Sequence, residues 1–422
     1  MKEGFDEMLR RGIGRLVGSY DPENKLKIAV HFSYPSVHAA WIVDGEIMKE
    51  TRVGSNNSET LKQLNRNRDG WVKILHDAGV GFDFISYSSI EEGGLKTKGY
   101  KVLILPMSYA LSDEEVIKIE KFVEEGGILI ADALPGVMDD HTKFRSKRAL
   151  ADVFGIKARA YLREELITPD SESGLKVKKA DVLFDEANKP EHIFNKYGKG
   201  SAFLLNYFMD NYPEEKLSGN SESSLLKLRT LFEKENLKSG INLTKLTGEP
   251  VGGIEKYSFS EDNGSTRLLG LLPAKSGKNE EIKVLVDQTV NLYDVRNKKY
   301  LGEGNEFKIS LKSSVPELFA LVSGKIDNIE VDAPVNLSPG EKVELTFKLT
   351  GTGVSDLKSV VRVDVFNPEG KVVNYYSKNY DIANGSGSFS FDLALNEQPG
   401  TWKIRLTEAI SGIEKEVAIN VK

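Results

Sequence analysis

The chain has 422 residues, 40% hydrophobic and 28% charged, which excludes a disordered or collagenous polymer and suggests about two to four domains. Lys and Arg number 57 against 63 Asp and Glu, a net charge of −6, so no nucleic-acid partner is expected. Cysteine is absent, which excludes disulfides, thiolate metal sites and cysteine nucleophiles.

Residues 1–24 read as a charged, amphipathic helical lead-in and not as a secretory signal. No apolar run approaches the ~18 residues of a membrane span. Localisation stays open between cytoplasm and export.

From residue 25 the pattern alternates strand and helix. Residues 27–33 predict a buried strand, and 58–79 a helix with Ser58 as N-cap and Leu61, Leu64, Trp71, Val72 and Leu75 at helical spacing. Residues 82–87 and 101–107 predict the next strands. Ser112 and Glu115 form a capping box that opens a helix through Val123, closed by Gly126 and Gly127. Residues 128–133 predict a fourth strand and 147–155 a short helix. Residues 157–198 are less regular and read as short strands or an excursion. A strand at 200–208 and a helix at 221–236 complete an α/β block with a parallel sheet covered on both faces.

After about Gly240 strand alternation dominates. Strands are expected at 254–259, 282–286, 290–295 and 306–311, with Asn263-Gly264 as a hairpin signal. Residues 324–422 predict seven short strands, at 326–331, 342–349, 359–366, 371–377, 387–393, 401–407 and 413–421. That number suits an immunoglobulin-like β-sandwich with Trp402 in its core.

Five histidines, at 31, 38, 76, 141 and 192, all fall in the α/β block. In open α/β sheets ligands bind beyond the carboxyl ends of the strands. His31, Ser33, Ser36 and His38 leave the first strand there. Ser108 and Tyr109 leave the third, and Asp132 ends the fourth ahead of Asp139, Asp140 and His141. His31, Ser33, Ser36, Tyr109, Asp132 and His141 are thus the candidate ligand-binding residues, and a carbohydrate is the candidate ligand. The alternative is a row of loop polar groups that cap helices. No Gly-x-Ser-x-Gly elbow, Walker loop or dinucleotide fingerprint is present, so no catalytic residue and no cofactor is assigned. Adjacent Asp-Asp-His residues seldom supply one ion, so no metal is expected.

The stretch 101–137, KVLILPMSYALSDEEVIKIEKFVEEGGILIADALPGV, resembles the trimerisation domain of family 42 beta-galactosidases, itself similar in fold to class I glutamine amidotransferases. FDEMLRRGIGRLVGSY followed by KIAVHFSYPS resembles the junction where such enzymes leave their catalytic barrel. KYGKGSAFLLNYF resembles a late strand of that domain. NLYDVRNKKYLGEG and VPELFALV resemble the small β domain that follows. VVRVDVFNPEGKVV and LNEQPGTWKIRLTE resemble an appended immunoglobulin-like or macroglobulin-like bacterial module.

The resemblance implies a flavodoxin-like or amidotransferase-like parallel sheet at 25–240, a small antiparallel β domain at 241–323 and a sandwich at 324–422. It also implies self-association as a trimer, with Trp41 and Ile42, read in a loop after the first strand, at the interface. The amidotransferase cysteine is missing, so glutaminase chemistry is excluded. Catalysis in family 42 resides in a barrel of about 250 residues, and nothing barrel-like precedes residue 25 in this sequence. The expectation is a non-catalytic accessory and assembly region of a glycoside hydrolase. The alternative is a carbohydrate-binding or divergent hydrolase crevice at the strand ends.

Overall fold

The computed structural model describes residues 2–44, 58–186, 189–260, 265–274 and 279–422. The Asn263-Gly264 hairpin signal lies outside them. The chain forms two compact units, residues 24–239 and residues 1–23 together with 240–422.

In the α/β unit, β1 (Ile28–Phe32) leads into α1 (Tyr34–Asp44), α2 (Glu59–Ala78) and β2 (Phe82–Ser86). Then come β3 (Val102–Leu105), α3 (Asp113–Glu124) and β4 (Ile128–Ala131). After an irregular excursion follow β5 (Asp181–Glu186), β6 (Lys189–Tyr197), β7 (Gly200–Leu205), α4 (Tyr212–Ser218) and α5 (Glu222–Lys234). The sheet order is β2-β1-β3-β4-β7-β6-β5. The first five strands are parallel, and β6 and β5 add antiparallel at one edge.

Continuous apolar runs follow from burial on both faces. Ile28, Val30, Ile104 and Ile130 pack on one side with Trp71 and Leu75 of α2 and Leu228 of α5. Ala29, Leu103, Leu105 and Leu129 pack on the other with Ile119 and Val123 of α3. Ser58 caps α2, its hydroxyl accepting from the Leu61 N–H at 3.0 Å. Gly79 ends that helix at φ +74°, a conformation that favours glycine. The capping box of α3 forms as expected, with Ser112 and Glu115 exchanging backbone bonds of 2.8 and 3.0 Å.

One reading is corrected. Trp41 and Ile42 lie in α1 and not in a loop. Ser33 caps that helix by accepting from the Ser36 N–H at 3.1 Å. Pro35 sits in the first turn, where its missing N–H costs nothing.

The second unit is β-rich. One sheet of seven strands contains Asp21–Pro22 and the strands from Ile241–Lys245 to Glu317–Val322. The expected strands 282–286 and 290–295 are one strand, Glu280–Asp294, bulged between Leu285 and Val290. Residues 325–421 form a three-stranded and a five-stranded sheet. Strict alternation along Lys342–Leu349 buries Val343, Leu345, Phe347 and Leu349. Trp402 is buried in the same core, and its indole N–H donates to the Gln398 carbonyl at 2.9 Å. The expected strand at 371–377 does not form. Ser377 folds back instead, donating to the Val373 carbonyl and accepting from the Val365 N–H, and the strand is Lys378–Ile382.

The N-terminal segment belongs to this β unit. Ile13 and Leu16 enter its core. Arg15 forks onto Asp381 at 2.6 and 2.7 Å, and the Asn379 amide donates to the Leu9 carbonyl.

Candidate functional site

The carboxyl ends of β1, β3 and β4 bring His31, Ser33, Ser36, Ser108, Tyr109 and Asp132 to one region, all of them buried. His141 does not join them. It lies exposed on the turn with Asp139 and Asp140.

His31 sits near the end of β1. Its Nδ1 lies 3.0 Å from the Ser108 hydroxyl, and its Nε2 lies 3.0 Å from Glu115 Oε1. The second contact has an ion-pair distance without hydrogen-bond alignment. Glu115 is also the capping carboxylate of α3, so the helix N-terminus fixes where it points. Ser112 in turn donates to Glu91 at 2.6 Å. A Ser–His–Glu order is the chemistry of a proton relay. The side chains of Ser108, His31 and Glu115 are fully enclosed. The segment 136–138 is tied to the backbone here, since the Gly136 N–H donates to the Ser108 carbonyl and the Met138 N–H to the Tyr109 carbonyl.

Ser33 and Ser36 serve the backbone. Both hydroxyls donate to the Ala110 carbonyl at 3.1 Å, and Ser36 accepts from the Ala110 N–H at 3.0 Å. They fasten the loop after β3 to the start of α1.

Asp132 is the hub of the crevice. Its carboxylate accepts from the Asn67 amide at 2.6 Å, the Trp71 indole at 3.1 Å and the Met107 N–H at 2.6 Å. Burial nevertheless pushes its pKa up to about 7, against the pull of those three donors. Met107 has φ +43°, a left-handed conformation costly for a non-glycine residue, and the Asp132 bond helps hold it. Tyr109 is enclosed beside this carboxylate, and its hydroxyl has no hydrogen-bond partner among the described residues. Burial, with Asp132 and Asp210 nearby, drives its pKa well above the usual phenol value.

Sequence reasoning missed the contribution of α2. Gln63, Asn67, Gly70 and Trp71 follow helical spacing and face the loops. Gln63 donates to Asp210 and to the Pro169 carbonyl, and Asn67 accepts from the Met209 N–H at 2.6 Å. Gly70 lies so close to Met209 that a Cβ there would stand 1.8 Å from its carbonyl oxygen. The apolar periodicity of the helix is visible in the sequence, but it assigns no role to the amides Gln63 and Asn67.

The excursion carries a second buried charge cluster. Arg148 pairs with Glu172 at 2.5 Å, and Tyr161 donates to the same carboxylate. Burial is the main reason that the Tyr161 pKa rises to about 12.

Asp139, Asp140 and His141 place ligand atoms within 4.8 Å of one another, the one such group among the described residues. Asp139 already accepts from the His141 and Lys143 N–H groups at 3.0 and 2.9 Å.

No described helix is long and apolar enough to cross a membrane. Residues 38–177 match the family model described as the beta-galactosidase trimerisation domain. Among solved structures, a catalytic mutant of a GH42 beta-galactosidase from G. stearothermophilus aligns at 15% identity and TM-score 0.46, covering 70% of this chain and 40% of its own. The beta-galactosidase from Bacillus circulans sp. alkalophilus aligns at 15% identity and TM-score 0.46, covering 72% and 42%. A beta-galactosidase from Rahnella sp. R3 aligns at 17% identity and TM-score 0.45, covering 71% and 41%. This chain thus spans about two fifths of the length of each. No curated protein matches. The resemblance read in the sequence is borne out over residues 38–177, where the chain matches the beta-galactosidase trimerisation domain.

Proposed function

We propose that the chain is a non-catalytic accessory and assembly region of a beta-galactosidase-like glycoside hydrolase. The match over residues 38–177 carries the reading. The burial of Ser33, Ser36 and Asp132 supports it, since side chains committed to the protein's own hydrogen bonds are poor substrate contacts.

The organisation we propose is a lead-in at 1–24, an α/β domain at 25–240, a small β domain at 241–323 and a sandwich at 324–422. The parallel order β2-β1-β3-β4-β7 corresponds to the flavodoxin-like order 2-1-3-4-5 and supports an amidotransferase-like fold. The two facing sheets of residues 325–421 support an immunoglobulin-like sandwich.

Self-association, as a trimer, is the expected role of residues 25–240. Sedimentation at micromolar concentration, with nitrophenyl galactoside hydrolysis assayed on the same sample, tests both halves of the proposal. A monomer at all concentrations refutes assembly. Turnover well above background refutes the non-catalytic role. Tyr34 and Trp41 on α1 are 56% and 36% exposed, and Trp41→Ala is expected to weaken the oligomer.

A second reading, a carbohydrate-binding or divergent hydrolase crevice, rests on the Ser108–His31–Glu115 chain. Labelling by a fluorophosphonate, lost in Ser108→Ala, would favour it. A thermal shift with millimolar sugars, lost in His31→Ala, would favour binding alone.

A further inference from the structure

A groove of about 460 Å³ opens in the α/β unit at the amino ends of β3 and β4, the opposite end of the strands from the crevice. That volume falls within the roughly 300–1,000 Å³ of small-molecule pockets. Its apolar lining is Phe122, half-buried, with the mostly buried Leu95 and Tyr100 behind it. The Tyr100 hydroxyl is engaged by Asp83 at 3.1 Å, so the ring is anchored. The Phe122 ring is held against Gly127, where a Cβ would stand 2.4 Å from it. The aromatic wall is therefore fixed before any ligand arrives.

The charged side chains that line this surface are mostly positive. Lys96, Lys101, Lys118 and Lys121 line the groove against a single carboxylate, Glu125. Glu125 is shared, 3.3 Å from Lys96 and 3.9 Å from Lys121. Lys118 pairs with Glu114 at 2.8 Å. Lys101 has no ion pair among the described residues.

We propose that this groove binds an organic anion, an apolar ring body carrying one strongly acidic group such as a sulfonate or carboxylate. The ring body lies against Phe122 and the exposed edge of Tyr100. The acidic group meets Lys101 and the incompletely neutralised pair Lys96 and Lys121. Apolar contact supplies affinity, and the lysines supply orientation and salt dependence.

The probe is 1-anilinonaphthalene-8-sulfonate, titrated by fluorescence against the full chain, with the neutral N-phenyl-1-naphthylamine as comparison. Near-UV circular dichroism confirms that each sample is folded, because this dye also binds loosened cores. The expected result is one saturable site, at least tenfold tighter for the sulfonate and weakened by added salt. The double variant Lys101→Glu/Lys121→Glu should lose at least tenfold in affinity. Thr97→Trp, on the exposed rim, should block the groove without touching the lysines. Absence of saturable binding, equal affinity for the neutral compound, or binding untouched by Thr97→Trp would each overturn the proposal.

Discussion

His192 sets an acid limit on the α/β unit that can be measured directly. Its imidazole is buried edge-on to Phe184 at 4.8 Å, and Nε2 meets the Tyr207 hydroxyl at 2.7 Å. Nδ1 has no hydrogen-bond partner among the described residues. Burial, with Lys227 as the second cause, lowers its pKa from 6.5 to about 4. Between those values the unfolded chain takes up a proton that the native state refuses. Stability from this group is therefore full above pH 6.5 and lost as pH falls toward 4. The loss is about 3 kcal/mol at 1.36 kcal/mol per unit. Asp132 runs the other way. Its pKa is raised from 3.8 to about 7, so its contribution is full below pH 3.8 and lost as pH rises to 7. Between pH 4 and 6.5 the two slopes oppose each other, and the wild-type curve alone hides both. His192→Phe separates them. Urea unfolding, followed by fluorescence in a Trp402→Phe background, reports only Trp41 and Trp71, both in the α/β unit. The variant leaves the Tyr207 hydroxyl without its partner, a cost of about 1–3 kcal/mol that pH does not change. Wild type should lead at pH 7.5, and the difference should shift toward the variant by about 3 kcal/mol by pH 4. A difference that stays constant, or grows in favour of wild type, would refute the reasoning.

Gly70→Ala should destabilise the α/β unit by more than about 2 kcal/mol in urea unfolding, because the clash with the Met209 carbonyl outweighs the ~1 kcal/mol gain in helix propensity. Asp132→Asn should cost most near pH 4 and progressively less toward pH 8 by thermal melting, since the amide turns its N–H₂ toward a donor at every pH but never has to ionise where burial disfavours the carboxylate. Leu16→Ala should cost the β unit about 2–5 kcal/mol, whereas Arg15→Ala, at a half-exposed ion pair, should cost no more than about 1 kcal/mol. Equal losses in those two variants would show that the N-terminal segment is held by charge and not by its apolar face.

What the sequence made legible follows from local chemistry. The Ser112–Glu115 box, the Ser58 cap and the apolar strand runs each act within a few residues, and each is where the pattern placed it. Pro35 shows the limit of the same reasoning. Its first-turn position extends a helix from Ser33, yet a proline beside Tyr and Ser also reads as a loop signal. The partners of the crevice were illegible because they arrive from afar. Asn67 meets Asp132 across 65 positions and Met209 across 142. Asn67 stands three residues after Leu64 and four before Trp71, so helical spacing puts it on the apolar face, but spacing within a helix cannot name the distant groups it will meet.

Placement at the strand ends was readable, and burial was not, and the difference matters for function. Polar groups at the carboxyl ends of parallel strands are the raw material of a ligand site only while some of their hydrogen bonds remain unspent. Here Ser33 and Ser36 are committed to the Ala110 backbone, and Asp132 to α2 and to Met107. A ligand reaching Asp132 would have to displace the Asn67, Trp71 and Met107 donors, each bond to a buried carboxylate worth about 1.5–3 kcal/mol. The same groups that could have formed a pocket therefore act as a joint between sheet, helix and loop. Such a joint stiffens the α/β unit, which suits a domain whose proposed work is to present a fixed surface.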